Sequence, residues 1–464
     1  MSSTLGAVES SGAAPGTRRA RARSRTPGVL ARAGQRLGGP GWIVFLATLL
    51  GASTGAEEGC ARPAPADDAA GSTVTGAGSG DQSALEFQPT RSCPPLPPIA
   101  GFIGRDDAAL LTESLTPYRA TGSNLYYLQQ LLTYAQQDHN HALENAVGEV
   151  LDDLVCLSLP IARIWGFNDS TDRSAIRVAP DEYREEGLRG LDQAVWEAKR
   201  RGIRLIVPLV NNWVDYGGLP AYAAWASRID GSPRWHDDFF WDPRIQQWWK
   251  DYAFLLANRV NTFTGIAYKD EPTILAWEIG NELRCPSCRG TSRLTDTVRE
   301  LAHFLRQIMP RQLIADGGEG FDDQPGLYLG LSNPYPVRGD EGTSFSSLAT
   351  IEDLDLLSYH HYPKSYGLES PRDTDIWIQR HQGVAAVFGK VAYLGECGSV
   401  ATDAERARSY DWWLKHVFEV NGGLVGLMWQ LLPDARAAND QFSVHARQDH
   451  ATAWILSRWG AFLR

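Results

Sequence analysis

At 464 residues and 43% hydrophobic content, the chain can bury one large core or two ordinary ones. Its net charge of −11 is unevenly spread: the first forty residues carry seven Arg against the single acid Glu9, leaving about −17 for the rest. Such a body repels nucleic acid and anionic lipid, which argues against both as partners.

Residues 1–41 are rich in Ser, Gly, Ala and Arg and read as disordered. Trp42 to Leu50 is a nine-residue apolar run, short for a membrane span and suited to a signal-peptide core. Small residues from Gly51 to Ala56 can hold a cleavage site, so residues 1–56 predict export and a secreted or cell-surface protein. Lipidation at Cys60 is not favoured, because Glu57 departs from the Leu-small-small-Cys pattern. Residues 57–96 read as an Ala/Gly/Ser/Pro-rich linker, and 97–464 as the folded domain.

Strand-like and helix-like runs then alternate. The first strand is expected over Tyr118 to Tyr127, a helix over Asn140 to Cys156 and a short strand over Pro160 to Trp165. Leu188, Leu191, Val195 and Ala198 mark one face of a helix that starts near Pro180 and stops at Gly202. Further strands are expected at Ile203–Val210, Ile274–Ile279, Gln312–Asp316, Leu354–His360, Val391–Gly395 and Leu424–Trp429. Helices are expected at Ile245–Asn261, Leu294–Ile308, Ile376–Phe388, Ala404–Val420 and Ala451–Phe462, with a long loop over Gly317–Asp353. Eight βα units predict parallel strands, right-handed crossovers and a (β/α)8 TIM barrel as the single catalytic domain. An open doubly wound sheet would want a Gly-rich phosphate turn after its first strand, and Gly122-Ser-Asn-Leu125 is not one.

In such a barrel the chemistry sits where the strands end. Those ends carry Arg163 and Trp165, Asn212 and Trp213, Asn281 and Glu282, His360 and Tyr362, Glu396, and Trp429. Glu282 and Glu396 are the two carboxyls that glycoside hydrolysis needs, one protonated and one ionised. Arg163 is placed to keep one of them ionised, and the 16 Trp of the chain suit stacking on sugar faces. Either Glu alone is as readily a structural ion-pair partner; the weight lies in their co-occurrence. No metal or other cofactor is required. His360-His361 has no third ligand placed by the sequence, and the lone Cys285-Pro-Ser-Cys288 cannot complete a tetrahedral site. A local disulfide or loop packing is favoured for that pair.

These segments resemble glycoside hydrolase family 5, of the retaining clan of (β/α)8 enzymes, and within it the endo-β-1,4-mannanases. The resemblance is carried by Arg163-Ile-Trp-Gly-Phe-Asn-Asp169, Leu209 to Gly218, Arg259-Val-Asn-Thr-Phe-Thr-Gly265, Ala276 to Cys285, His360-His-Tyr-Pro363 and Leu394-Gly-Glu396. It implies that Glu282 is the acid/base and Glu396 the nucleophile. Arg163, Trp165, Asn212, Trp213, Asn281, His360, Tyr362 and Trp429 would be the substrate-binding set. Within that set Arg163 would lie under Glu396, Tyr362 would bond it and Trp429 would floor the subsite before the cleaved bond. A β-linked polysaccharide or oligosaccharide is then the expected partner, and the chain is expected to be a monomer. Cleavage of β-1,4-glucan, exo-action, or glycan binding without turnover on the same barrel are the alternatives.

Overall fold

The computed structural model describes residues 93–464, apart from 421, 424 and 439. The expected export segment and nearly all of the expected linker lie outside the described residues. Eight strands form a closed parallel barrel: β1 (Ala120–Asn124), β2 (Ile161–Arg163), β3 (Arg204–Pro208), β4 (Ile274–Glu278), β5 (Leu313–Ala315), β6 (Leu356–His361), β7 (Val391–Cys397) and β8 (Val425–Met428). Each pairs with its sequence neighbours, and β8 closes on β1 through Val425–Ala120 to Met428–Ser123. The β1–β2 contact demands a glycine. A Cβ on Gly122 would lie 2.1 Å from the Ile161 carbonyl oxygen.

The surrounding helices are α1 (Leu128–Asp138), α2 (His141–Cys156), α3 (Glu185–Lys199), α4 (Gly218–Asp230), α5 (Pro243–Asn258), α6 (Arg293–Ile308), α7 (Pro371–Val387), α8 (Asp403–Lys415) and α9 (His450–Phe462). Local chemistry sets several starts. The Asn140 side chain accepts from the Ala142 and Leu143 amides to cap α2. Asp242 caps α5, with Pro243 in the first turn. Ser370 and Asp373 form a capping box around Pro371, so α7 begins five residues before the expected Ile376. The long loop after β5 is partly ordered by short helical turns at Pro325–Tyr328, Tyr335–Val337 and Phe345–Leu348.

Helices α1 and α4 and two small sheets, Arg177–Ala179 with Glu182–Tyr183 and Leu431–Leu432 with Val444–His445, were not among the expected elements. Neither were two further features. A hairpin, Ile103–Asp106 with Ala109–Thr112, packs Ile103 and Leu110 against the first residues of the barrel strands, including Ile161, Leu275, Leu313, Leu356 and Val391. It plugs the end of the barrel where the strands begin. A disulfide joins Cys93 to Cys156, tying chain ahead of Pro97 to the end of α2. Cys285 and Cys288 are bonded to each other, and Cys397 is free and buried. Among the described residues no helix is long and apolar enough to cross a membrane.

Candidate active site

At the other end of the barrel the strands deliver charged and polar groups. Arg163 ends β2 and is wholly buried. A buried guanidinium needs a partner for each of its five N–H groups, and it finds them. Nε and Nη2 grip Glu278 at 2.9 and 2.7 Å. Nη1 donates to Glu396 Oε1 at 2.6 Å and to Asn124 Oδ1 at 3.1 Å. Nη2 also donates to Asn281 Oδ1 at 2.7 Å. Glu278, the last residue of β4, also accepts from the Tyr393 hydroxyl at 2.6 Å. The main partner of Arg163 is therefore Glu278, which is not among the expected site residues. The visible signal was a lone acid at the end of an otherwise apolar strand.

Glu396, on β7, accepts from Arg163 on one oxygen and from the Tyr362 hydroxyl on the other at 2.6 Å. Glu282 follows β4 with a left-handed backbone, φ 57°, a conformation that costs energy for a residue with a side chain. Its amide is held by the Gly317 carbonyl at 2.8 Å. One of its oxygens meets His360 Nδ1 at 2.7 Å and the other accepts from Trp213 Nε1 at 2.6 Å. One oxygen of each carboxylate and a ring nitrogen of His360 all lie within 4.8 Å of one another. His360 Nδ1 is already committed to both acids, 2.7 Å from Glu282 and 3.6 Å from Glu396.

The electrostatics follow from a charge count. Three carboxylates (Glu278, Glu282, Glu396) face Arg163 and His360, so full ionisation leaves the buried cluster one negative charge in excess. Burial pushes the Glu396 carboxyl above its ordinary value, against the pull of His360 and Arg163 and with the help of the Glu282 charge. Arg163 was expected to hold Glu396 ionised; with two of its five N–H groups on Glu278 and one on Glu396, it only limits the rise. Burial opposes the charge on His360, but the two carboxylates outweigh it and raise the imidazole. Burial also works to raise Glu282, yet the hydrogen bond from His360, aided by Trp213, holds it low. The two directions favour a charged Glu282 facing a protonated His360 across their 2.7 Å hydrogen bond.

Both acids open into a cavity of about 440 Å³ that also exposes Asn281, Trp165, Trp213, Tyr362 and Trp429. Asn281 is aligned by Arg163 on its oxygen and donates its amide to Asn211 Oδ1 at 3.0 Å. Trp429 stacks on Tyr126, with ring centres 5.1 Å apart and planes within 4°. Its indole N–H is held by Asp440 at 2.8 Å. Trp165 lies 6.1 Å from Trp429. In the same cavity Arg284 lies over Trp213 and over Phe321, 4.9 Å from each ring centre. Arg284 also grips Glu319 at 2.6 and 2.8 Å. Burial, then the nearby charge of Glu282, pushes Glu319 up to about 7.

Three expected substrate-binding residues do not line this cavity. Arg163 and His360 are wholly buried behind the carboxylates and act through them. Asn212 turns into the loop, where its Oδ1 accepts from the Arg284 amide at 2.9 Å and meets His236 at 2.8 Å. Its neighbour Asn211 reaches the cavity instead. Tyr126, Phe321, Tyr335, Tyr366 and Phe442 also line it. Tyr126 falls inside the first expected strand, which ends at Asn124 in the structure, and the others lie in loops, where an aromatic gives no sign of which way it faces.

A closed (β/α)8 barrel with one carboxylate after β4, another on β7 and aromatic walls has the architecture of a two-carboxylate glycoside hydrolase. Residues 100–375 match the family described as glycoside hydrolase family 5, β-mannosidase-like. The chain belongs to that family. It is 32% identical over 370 residues to mannan endo-1,4-beta-mannosidase 8 of Oryza sativa subsp. japonica, covering 75% of this chain and 96% of that one. It is 35% identical over 286 residues to putative mannan endo-1,4-beta-mannosidase P of Arabidopsis thaliana, covering 61% of this chain and 65% of that protein's length. Among solved structures, the endo-β-1,4-mannanase of Thermotoga petrophila superposes with a TM-score of 0.66 at 29% identity, covering 75% of this chain and 77% of that one. The endo-1,4-β-mannanase of Rhizomucor miehei gives 0.67 at 27% identity, covering 78% and 99%.

Proposed function

We propose that the protein is a retaining endo-β-1,4-mannanase. The observation that carries the reaction type is the approach of Glu282 and Glu396, whose nearest oxygens lie within 4.8 Å. Carboxyls about 5–5.5 Å apart suit a covalent intermediate, whereas inversion needs about 6.5–9.5 Å to seat a water. The sugar is read from the relatives, whose names specify mannan. Endo action is supported by two separate aromatic groups in the cavity of the acids, Tyr126 with Trp165 and Trp429, and Trp213 with Phe321 and Tyr335 around Arg284. A chain bound across both groups is cut internally.

In the first step Glu396 attacks the anomeric carbon and the bond to the leaving oxygen breaks. Glu282 gives that oxygen a proton. The pair Glu282–His360 holds one proton across its 2.7 Å hydrogen bond, so Glu282 becomes the acid when that proton crosses from imidazole to carboxylate. Asn281, locked by Arg163 and Asn211, is the group for the sugar 2-hydroxyl. In the second step Glu282 takes a proton from water, whose oxygen attacks the same carbon and frees Glu396. Two inverting displacements retain the anomeric configuration.

The test is rescue. Glu396→Ala should lose turnover of an activated mannoside and regain it with azide, yielding the inverted glycosyl azide. A product of the native enzyme with inverted configuration, or undiminished activity of Glu396→Ala, would sink the mechanism.

The reading extends to location and assembly. Two disulfides, Cys93–Cys156 and Cys285–Cys288, suit an oxidising compartment and agree with the apolar run at Trp42 to Leu50. Export is checked by fractionation with N-terminal sequencing of the mature chain. A monomer is checked by light scattering.

A further inference from the structure

A second cavity, of about 510 Å³, opens beside the catalytic one and shares Tyr362, Ser365 and Phe442 with it. It runs between the first turn of α7 and one face of α8. We propose that it is an accessory subsite for a neutral hexopyranose, occupied by a side group of the polysaccharide whose main chain lies across Glu282 and Glu396. The proposal rests on the polysaccharide reading of the catalytic cavity.

The chemistry of the walls selects the ligand. Trp412 on α8 is 42% exposed and lines the cavity, a flat apolar surface of the kind that pairs with the C–H face of a sugar ring. Around it stand Lys364 and Arg408 against Glu369 and Glu405. Among the described residues Lys364 and Arg408 make no hydrogen bond or ion pair; Arg408 acts on Glu405 through its field alone. Two cations and two acids in one cavity reward neither an anion nor a cation. They offer donors and acceptors to a neutral ligand carrying many hydroxyls. The hydroxyls of Ser399 and Ser409 also line it; they donate to Ser409 and to the Glu405 carbonyl, at 3.5 and 3.2 Å, and keep lone pairs to accept from a ligand. The volume falls in the range of about 300–1,000 Å³ usual for small-molecule sites.

Position supplies the link to catalysis. Tyr362 is the partition: its hydroxyl bonds Glu396 at 2.6 Å, while the same residue lines the second cavity. Its ring packs on Phe442 at 5.0 Å between centres. A sugar in the second cavity therefore touches the residue that holds the nucleophile. A side group on a main-chain unit beside the cleaved bond is the occupant that this adjacency fits. A separate segment of chain is the other source of the same ring chemistry.

The experiment compares β-1,4-mannohexaose with the same backbone bearing one α-linked hexopyranosyl group on an O6. Turnover is measured for the native enzyme, Trp412→Ala and Arg408→Ala. Calorimetry follows binding of both oligosaccharides to Glu396→Ala with and without Trp412→Ala. The expected result is a roughly tenfold loss of kcat/KM on the branched substrate alone in Trp412→Ala, equivalent to about 1.4 kcal/mol, with a smaller loss in Arg408→Ala. If instead Glu396→Ala binds two hexaoses and the added Trp412→Ala leaves one, the subsite stands and its occupant is a second chain segment. Identical turnover and binding by all variants on both substrates would overturn the subsite. A native enzyme that cleaves neither substrate removes the mannan reading itself, a failure distinct from turnover that Trp412→Ala leaves untouched.

Discussion

The two ends of the barrel are built from the same eight strands and opposite chemistry. Where the strands begin, Ile103 and Leu110 of the hairpin meet Ile161, Leu275, Leu356 and Val391 in an apolar plug, with the Arg105–Asp355 ion pair beside it. Where they end, Arg163, Glu278, Glu282, His360 and Glu396 form a buried ionic cluster with one acid in excess. The plug gains stability from area removed from water. The cluster gives some of it up, because burying ions is costly even when they are paired. A left-handed backbone does not separate the two ends: Glu282 holds one beside the cluster and Asp107 holds one in the hairpin turn. The difference teaches where substitutions should separate stability from activity.

The largest separation is expected for Glu282→Gln. It keeps the shape, removes the proposed proton donor and should lower kcat by about 10²–10⁴-fold with little change in Tm. The loss should shrink on a substrate whose leaving group needs no proton. An equal loss on both kinds of leaving group would mean that Glu282 is not the acid.

Glu278→Gln blurs the boundary, and should cost both stability and rate. It strips the paired charge from a wholly buried Arg163, an event worth about 3–5 kcal/mol. Denaturant unfolding measures it. A variant as stable as the native protein would show that Glu396 and Asn281 suffice to hold Arg163.

Leu110→Ala is the converse case. The side chain is 1% exposed within the plug, so its loss should cost about 2–5 kcal/mol while kcat on a soluble substrate stays within twofold by this reading. A matching fall in kcat would mean that the two ends are mechanically coupled.

How much of this contrast the sequence made legible depends on what carried each signal. The barrel was readable because buried parallel strands are short apolar runs, and Ile274–Glu278 and Val391–Cys397 are such runs. The two acids were readable because each interrupts apolar chain where a strand ends. The plug was not, since Ile103-Gly-Arg-Asp106 has too little alternation to mark a strand. Helices α1 and α4 lack a side-chain cap at their first residue, so neither announces its start. The Cys93–Cys156 bond spans 63 residues, and pairing at that range cannot be read from spacing. The direction in which Asn212 turns depends on His236, which lies 24 residues on and meets it only in the fold.

The smallest effect sharpens the account of the ionic end itself. The Glu396 carboxyl sits above its ordinary value through burial, and His360 above its own through the two acids. The free enzyme should therefore show a bell-shaped kcat/KM profile. Its acid limb marks protonation of Glu396 and lies above about 4.3, the ordinary glutamate value. Its alkaline limb marks loss of the proton shared by His360 and Glu282 and lies above about 6.5, the ordinary imidazole value. Tyr362→Phe removes one hydrogen bond that favours the charged form of Glu396, so the Glu396 carboxyl should rise further and the acid limb should move to higher pH. The alkaline limb should stay in place, because Tyr362 makes no hydrogen bond to His360 or Glu282. Movement of the alkaline limb alone would reverse the assignment of the two limbs, and with it the reading of a charged Glu282 facing a protonated His360.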